Sequence, residues 1–103
     1  MNNNEFNADA ASLSVDLSEA RQAVKENRFQ HALDLFEIIL ETDHDHIDSL
    51  YLASVSSRYL KKFDESRKYI ERLLFIAPDM GRAYQELGHI HRDMGNLAKA
   101  AIH

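Results

Sequence analysis

Two stretches of the sequence, residues 26–40 ("ENRFQHALDLFEIIL") and residues 61–75 ("KKFDESRKYIERLLF"), resemble each other in the placement of their apolar residues. Phe29 in the first stretch corresponds to Phe63 in the second, 34 residues later. The other pairs that keep this step are Ala32 and Ser66, Phe36 and Ile70, and Ile39 and Leu73. A shorter third copy, "GNLAKAAIH" at residues 95–103, continues the register. Because a fixed period of about 20–50 residues is the signature of stacked repeats, this repetition decides the fold class.

The composition favours helices and excludes several classes of site. The 103 residues include one proline, three glycines and no cysteine. So few turn-forming residues disfavour an all-β fold, and a chain without cysteine has neither disulfides nor thiolate chemistry. The net charge of −5 predicts no general binding to nucleic acid or to an anionic membrane. The first residues, "MNNNEFNADAAS", lack the basic and apolar segments of a signal peptide, so we expect a cytoplasmic protein.

Apolar residues recur at steps of three and four, which predicts helices joined by short turns. The predicted helices span about residues 13–26, 28–40, 47–60, 63–77, 79–94 and 97–103. Asn27 is expected to end the first helix in the left-handed conformation, and Pro78 to end the fourth. Asp79 is the predicted N-cap of the fifth helix, which Gly95 and Asn96 are expected to close.

With this period, the sequence resembles the tetratricopeptide repeat family. In its third unit, which starts at Gly81, the residues on the family's pattern are Tyr84, Leu87, Gly88, Gly95, Leu97 and Ala100. The second unit matches at Leu50, Ala53, Ser54, Phe63, Ser66, Ile70, Leu73 and Pro78. The first unit matches at Ala20, Phe29, Ala32 and Phe36, and departs from the pattern at Asp16, Glu19 and His44. The resemblance divides the chain into a polar tail (1–12), a degenerate first repeat (13–46), a second repeat (47–80) and a third repeat with a truncated second helix (81–103).

The resemblance implies an all-α fold, an α-solenoid of antiparallel helix pairs in a right-handed superhelix of about two and a half to three repeats. Each unit buries its apolar face only by stacking on its neighbour. The aromatic residues Phe29 and Phe63 are expected to fill the turn of each pair, while Phe36 and Ile70 pack against the next unit. The small residues Ala20, Ser54 and Gly88 are expected to let the two helices of a pair approach closely. A generic helical bundle is the alternative, and it does not explain why the echoes keep register over two steps.

In this family the first helix of each repeat lines a concave groove that holds a partner peptide or helix. The matching positions with candidate binding side chains are Arg21, Lys25, Tyr51, Val55, Arg58, Tyr59, Arg82, Gln85, His89 and Arg92; the remaining ones are Ser14, Leu17, Val24, Asp48 and Asp93. This set is net basic, which predicts an acidic or carboxylate-bearing ligand bound by arginine. The alternative is that the arginines are solvated or paired within the domain.

The sequence argues against three other kinds of site. The family branch that clamps chaperone tails is not expected, because the clamp positions carry Leu17, Arg21, Leu52, Arg82 and Glu86. The histidines of "DHDH" (43–46) lie in a turn without enough positioned ligands, so we expect neither a metal nor a cofactor. His89 is expected to face the groove and His91 to pack against a neighbour. The sequence contains no phosphate loop or nucleophile motif, so we expect no enzyme activity in this chain.

These observations predict a protein-interaction scaffold that binds a peptide or helix, with no nucleic-acid or membrane partner. One alternative is the N-terminal repeat region of a larger bacterial enzyme, because residues 82–101 look similar to repeats that precede sulfotransferase domains. A self-assembly or secretion-system adaptor is a third possibility. The third repeat has no following helix to cover it, so we expect either that the chain is part of a longer protein or that this end pairs with another copy, as a homodimer, or with a partner.

Overall fold

The computed structural model describes the backbone of residues 17–102 and the side chains of residues 17–99. The described part is all helical, as predicted, and contains no strand. Its helices are α1 (17–25), α2 (Phe29–Thr42), α3 (Ile47–Tyr59), α4 (Phe63–Ile76) and α5 (Gly81–Ile102). The predicted tail (1–12) and the groove position Ser14 lie outside the described residues.

The turns inside the first two helix pairs have the same backbone structure. Asn27 and Lys61, 34 residues apart, both have φ of 62°. In each turn the following N–H donates back to the helix, from Arg28 to the carbonyl of Ala23 and from Lys62 to the carbonyl of Ser57, both at 2.8 Å. This is the Schellman pattern, which satisfies carbonyls at a helix end. The predicted role of Asn27 is confirmed, and Lys61 adopts the same conformation.

Two apolar clusters form the core, and each spans one helix pair and the next odd-numbered helix. The first contains Phe36 of α2 together with Ala53 of α3. The second contains Ile70 of α4 together with Ala83 and Ile90 of α5. Phe36 and Ile70 are fully buried, which confirms that prediction. Stacking of one pair on the next therefore supplies the core, as expected of a helical repeat.

Small residues bring α3 and α4 close together. The Ser54 hydroxyl donates to the carbonyl of Ser66 at 2.8 Å, and the Ser66 hydroxyl donates to the carbonyl of Ser54 at 2.7 Å. Both residues are fully buried. The reciprocal bonds satisfy both hydroxyls at a contact where larger side chains would separate the helices.

The prediction that a helix ends at Gly95 and Asn96 is wrong. Helix α5 continues through both residues to Ile102, and it begins at Gly81, so Asp79 lies in the preceding turn and is not the N-cap. Glycine permits a left-handed turn but does not require one, and within a helix the backbone hydrogen bonds are satisfied locally. At the turn before α2, the ring of Phe29 stacks on the ring of Tyr59. Leu97, which holds the same repeat position in α5, remains 48% exposed.

The continuous α5 also changes two packing predictions. Gly88, predicted to admit a close helix, is exposed, and a Cβ built there would meet nothing within 4 Å. His91, predicted to pack against a neighbour, is exposed as well. Both predictions assumed a sixth helix folded back onto α5, and within the described residues no helix does so.

Candidate interaction surface

The ten predicted groove residues all lie on the odd-numbered helices α1, α3 and α5. Polar side chains link successive members of this series. Arg21 of α1 pairs with Asp48 of α3, and Arg58 of α3 pairs with Glu86 of α5. The odd-numbered helices therefore lie side by side. We call the side that carries the ten predicted groove residues the odd-helix surface.

Arg21 is paired within the domain. Its Nη2 lies 2.5 Å from Oδ2 of Asp48, and both side chains are about half exposed. An exposed pair of this kind contributes at most ~1 kcal/mol to folding. Arg21 therefore fits the alternative drawn from the sequence, in which a groove arginine pairs within the domain and not with a ligand.

Arg58 is buried in an ion-pair network between α3 and α5. Its Nε and Nη2 donate to the two carboxylate oxygens of Glu86 at 2.6 and 3.2 Å, and its Nη1 donates to Asp93 at 3.0 Å. Desolvation opposes the charged form, but the bonds and charges of Glu86 and Asp93 raise the pKa of Arg58 above its ordinary value. Three of the five N–H donors of the guanidinium are engaged by these carboxylates, so Arg58 is paired within the domain.

Arg92 lies at the exposed edge of the same network. Its Nη2 is 2.9 Å from Oδ1 of Asp93, and its Nη1 is 3.1 Å from Nδ1 of His89. Desolvation by itself would raise the pKa of Asp93. The hydrogen bonds that its carboxylate accepts from Arg58 and Arg92 outweigh this and hold the pKa below its usual value. Arg92 keeps 56% of its side chain exposed, so its guanidinium remains accessible.

The other predicted residues are more open. Arg82 is exposed, and its guanidinium carbon lies 4.9 Å from the ring centroid of Tyr51, a cation–π contact between α5 and α3. Lys25 and Gln85 are exposed, and Val55 is half-buried. Within residues 17–99, neither Lys25 nor Arg82 forms an ion pair.

An aromatic stack closes the contact between the start of α2 and the end of α3, which we call the first junction. The rings of Phe29 and Tyr59 have centroids 4.5 Å apart and planes inclined by 3°. The guanidinium carbon of Arg58 lies 4.7 Å from the Tyr59 centroid. Tyr59 is therefore held by a ring and a cation, although it keeps 56% of its surface exposed.

The corresponding contact one repeat later, between the start of α4 and α5, is open; we call it the second junction. Phe63 occupies the place of Phe29, and Asp93 occupies the place of Tyr59, each 34 residues on. A cleft of about 500 Å³ lies here, lined by Arg58, Tyr59, Lys61, Phe63, Arg92, Asp93, Asn96 and Leu97.

This cleft is not among the sites predicted from the sequence. Phe63 is expected from the sequence to fill a turn and Asn96 to close a helix, while Leu97 matches the family pattern and Glu86 holds a clamp position. A signal was nevertheless present, because the 34-residue register replaces Tyr59 with Asp93 while it keeps the aromatic residue at Phe63.

The histidines near the start of α3 are bound within the domain. Nδ1 of His46 accepts from the backbone N–H of Ser49 at 3.2 Å, so His46 is the N-cap of α3. Nδ1 of His44 donates to the carbonyl oxygen of Leu40 at 2.8 Å. Over the described residues, no three His, Asp or Glu side chains are grouped as metal ligands.

The family comparison agrees with the repeat register. A family model described as tetratricopeptide repeat matches residues 81–102. The matched segment supports the predicted family. It coincides with α5, and together with the helix pairs before it, it supports an α-solenoid. No curated protein matches the chain.

A tetratricopeptide repeat suggests a protein-interaction module. Among the helices that the structure describes, none is long and apolar enough to cross a membrane.

Proposed function

We propose that this protein is a non-catalytic scaffold that binds a peptide or helix of a partner protein along the odd-helix surface. The observation that carries the proposal is the continuity of this surface: ion pairs and a cation–π contact join α1 to α3 and α3 to α5. These contacts fix the relative positions of side chains that stay exposed, such as Lys25, Arg82 and Gln85. A preformed surface loses less conformational entropy on binding than a mobile one.

An acidic segment is the partner chemistry that fits best. Apart from Arg58, which is buried with Glu86, the predicted groove positions carry four cations against two carboxylates, in a chain whose net charge is −5. The cations are Arg21, Lys25, Arg82 and Arg92, and the carboxylates are Asp48 and Asp93. Lys25 and Arg82 remain exposed without an ion pair in the described range, so they are the cations most accessible to a ligand. Complementary charge speeds encounter and sets specificity more than it adds affinity.

The test is a selection of random nonapeptides displayed against the immobilised full chain. Wild-type protein should enrich peptides rich in Asp and Glu, and the variant Lys25→Glu/Arg82→Glu should lose that enrichment. The matched control is Lys68→Glu, an exposed charge reversal on α4, which should keep it. Enrichment without acidic bias, or an acidic bias that the double variant retains, would overturn the proposal.

Self-association through α5 is a second candidate. Tyr84 is 53% exposed, whereas Leu50, at the same repeat position in α3, is 3% exposed. This difference leaves a strip of α5 open where a further helix would pack. Sedimentation over a range of concentrations should show a dimer that Tyr84→Glu disrupts, and a concentration-independent monomer would exclude it. A downstream catalytic domain and a cytoplasmic location stay predictions.

A further inference from the structure

The two junctions are related by the repeat, so the first is an internal template for the second. At the first, Phe29 and Tyr59 stack, and Arg58 lies near the Tyr59 ring. Shifting each residue by 34 gives Phe63, Asp93 and Arg92 at the second. The aromatic platform and the arginine are both retained. Only the ring between them is replaced, by the smaller carboxylate of Asp93, and the cleft lies there.

We propose that the cleft at the second junction binds an aromatic side chain of the partner peptide, stacked on Phe63 as Tyr59 stacks on Phe29. The inference rests on the proposed function and specifies its ligand: an acidic segment that contains a Tyr, Trp or Phe residue. The partner supplies the ring that the chain itself supplies one repeat earlier.

The size of the cleft suits this occupant. Its volume of about 500 Å³ falls within the ~300–1,000 Å³ range of ligand pockets and leaves room for the peptide backbone beside one ring. Phe63 and Leu97 provide apolar contact, and Leu97 is 48% exposed. Covering this surface with a ring removes apolar area from water, which favours binding.

The lining residues favour an aromatic over an aliphatic guest. A parallel ring on Phe63 gains stacking energy beyond the area it buries, and the exposed guanidinium of Arg92 is available for a cation–π contact. The carboxylate of Asp93 and the amide of Asn96 line the same cleft and can accept a hydrogen bond from a Tyr hydroxyl or a Trp N–H. Lys61 and Arg92 add positive charge beside acidic flanking residues.

The chain contains no tryptophan, so a tryptophan in the ligand is a clean fluorescent reporter. The probe is a nonapeptide of Glu, Asp and Ser with one central Trp, and the comparison peptide has Leu in its place. On titration with the full chain, the Trp emission should shift to the blue as the indole leaves water. Competition should show the Leu peptide binding about tenfold more weakly.

Two variants address the cleft itself. Phe63→Leu keeps an apolar side chain but removes the platform, and it should weaken the Trp probe about tenfold. Asp93→Tyr restores the ring present at the first junction, and it should fill the cleft and compete with the probe. The matched control is Phe75→Leu, because Phe75 is 80% exposed on α4 and is not among the residues that line the cleft. This change should leave the affinity for the Trp probe unaltered. Circular dichroism at the assay temperature checks that each variant is folded.

The outcomes separate this inference from the proposed function. Equal affinity for the Trp and Leu peptides, or a Trp probe unaffected by both Phe63→Leu and Asp93→Tyr, would overturn the cleft assignment while acidic binding stands. Binding of neither peptide would overturn both. Loss with Phe63→Leu and Asp93→Tyr, but not with Phe75→Leu, is the result that the proposal requires.

Discussion

The first junction, where Phe29 stacks on Tyr59, and the second junction, where Phe63 and Asp93 line a cleft, follow the same backbone turn. Asn27 and Lys61 share a φ of 62° and the same pattern of carbonyl satisfaction. The repeat therefore conserves the turn while one side-chain position changes. Because stacking holds the backbone in place, a position beside the junction can carry either a packing ring, as at Tyr59, or a small carboxylate, as at Asp93.

The two ends of the odd-helix surface also differ in how they bury charge. At the α1–α3 end, Arg21 and Asp48 pair with both side chains about half exposed. At the α3–α5 end, Arg58 and Glu86 pair with only 9% and 3% of their side chains exposed. An exposed pair contributes little, whereas breaking a buried pair leaves a charge without a partner. The α3–α5 contact should therefore depend on its ion pair far more than the α1–α3 contact does.

The largest expected effect comes from Arg58→Met. This change leaves the carboxylate of Glu86 buried without its cation, so it should lower the free energy of unfolding by about 3–5 kcal/mol. The matched change Arg21→Met should cost less than ~1 kcal/mol. Urea denaturation of both variants measures the difference.

A double variant shows whether the cost of Arg58→Met lies in the stranded charge. Arg58→Met combined with Glu86→Leu removes both charges and should recover most of the lost stability, because no buried carboxylate remains. A small cost for Arg58→Met, comparable to that of Arg21→Met, would contradict the buried network.

The second expected effect concerns the aromatic residues of the two junctions. Phe29→Leu removes a ring that is stacked within the chain, whereas Phe63→Leu removes one whose stacking partner is absent. Phe29→Leu should therefore cost more, by about 0.5–1.5 kcal/mol, which is the usual contribution of an aromatic pair beyond its buried area. Thermal unfolding of the two variants tests this, and equal costs would show that the Phe29–Tyr59 stack adds nothing to burial.

The smallest expected effects, changes in stability of about 1 kcal/mol each, concern one repeat position, which lies in a turn at Lys61 and inside α5 at Gly95. Lys61 has a left-handed backbone, so Lys61→Gly should stabilise the protein. Gly95 holds the same repeat position but lies inside α5, where a Cβ would meet nothing within 4 Å, so Gly95→Ala should also stabilise. A destabilising Gly95→Ala would mean that Gly95 adopts the turn conformation in solution.

Much of this fold follows from local rules and a period. The turn at Asn27 and the burial of Phe36 and Ile70 depend on residue type and register, and both were predicted correctly. The backbone conformation of Gly95 could not be predicted in this way, because a glycine fits either a turn or a helix. The choice depends on whether a turn would let Leu97 pack against another residue.

The site was less predictable than the fold. The register placed Arg58 on the correct helix, but it gave no indication that Glu86 of the next odd-numbered helix would bury and neutralise it. Such pairing depends on the distance between helices, which a periodic pattern does not specify. The cleft depends on the replacement of Tyr59 by Asp93, and this appears only when the two junctions are compared.

The most direct test of the account is a titration of the uniformly ¹⁵N-labelled full chain with the Trp nonapeptide, followed by amide chemical shifts. If the cleft binds the Trp side chain, the largest shifts should occur at the second junction, at Lys61, Phe63 and Asn96, with little change at Phe29 and its neighbours. Shifts concentrated at the first junction, or on the outer sides of α2 and α4, would contradict it.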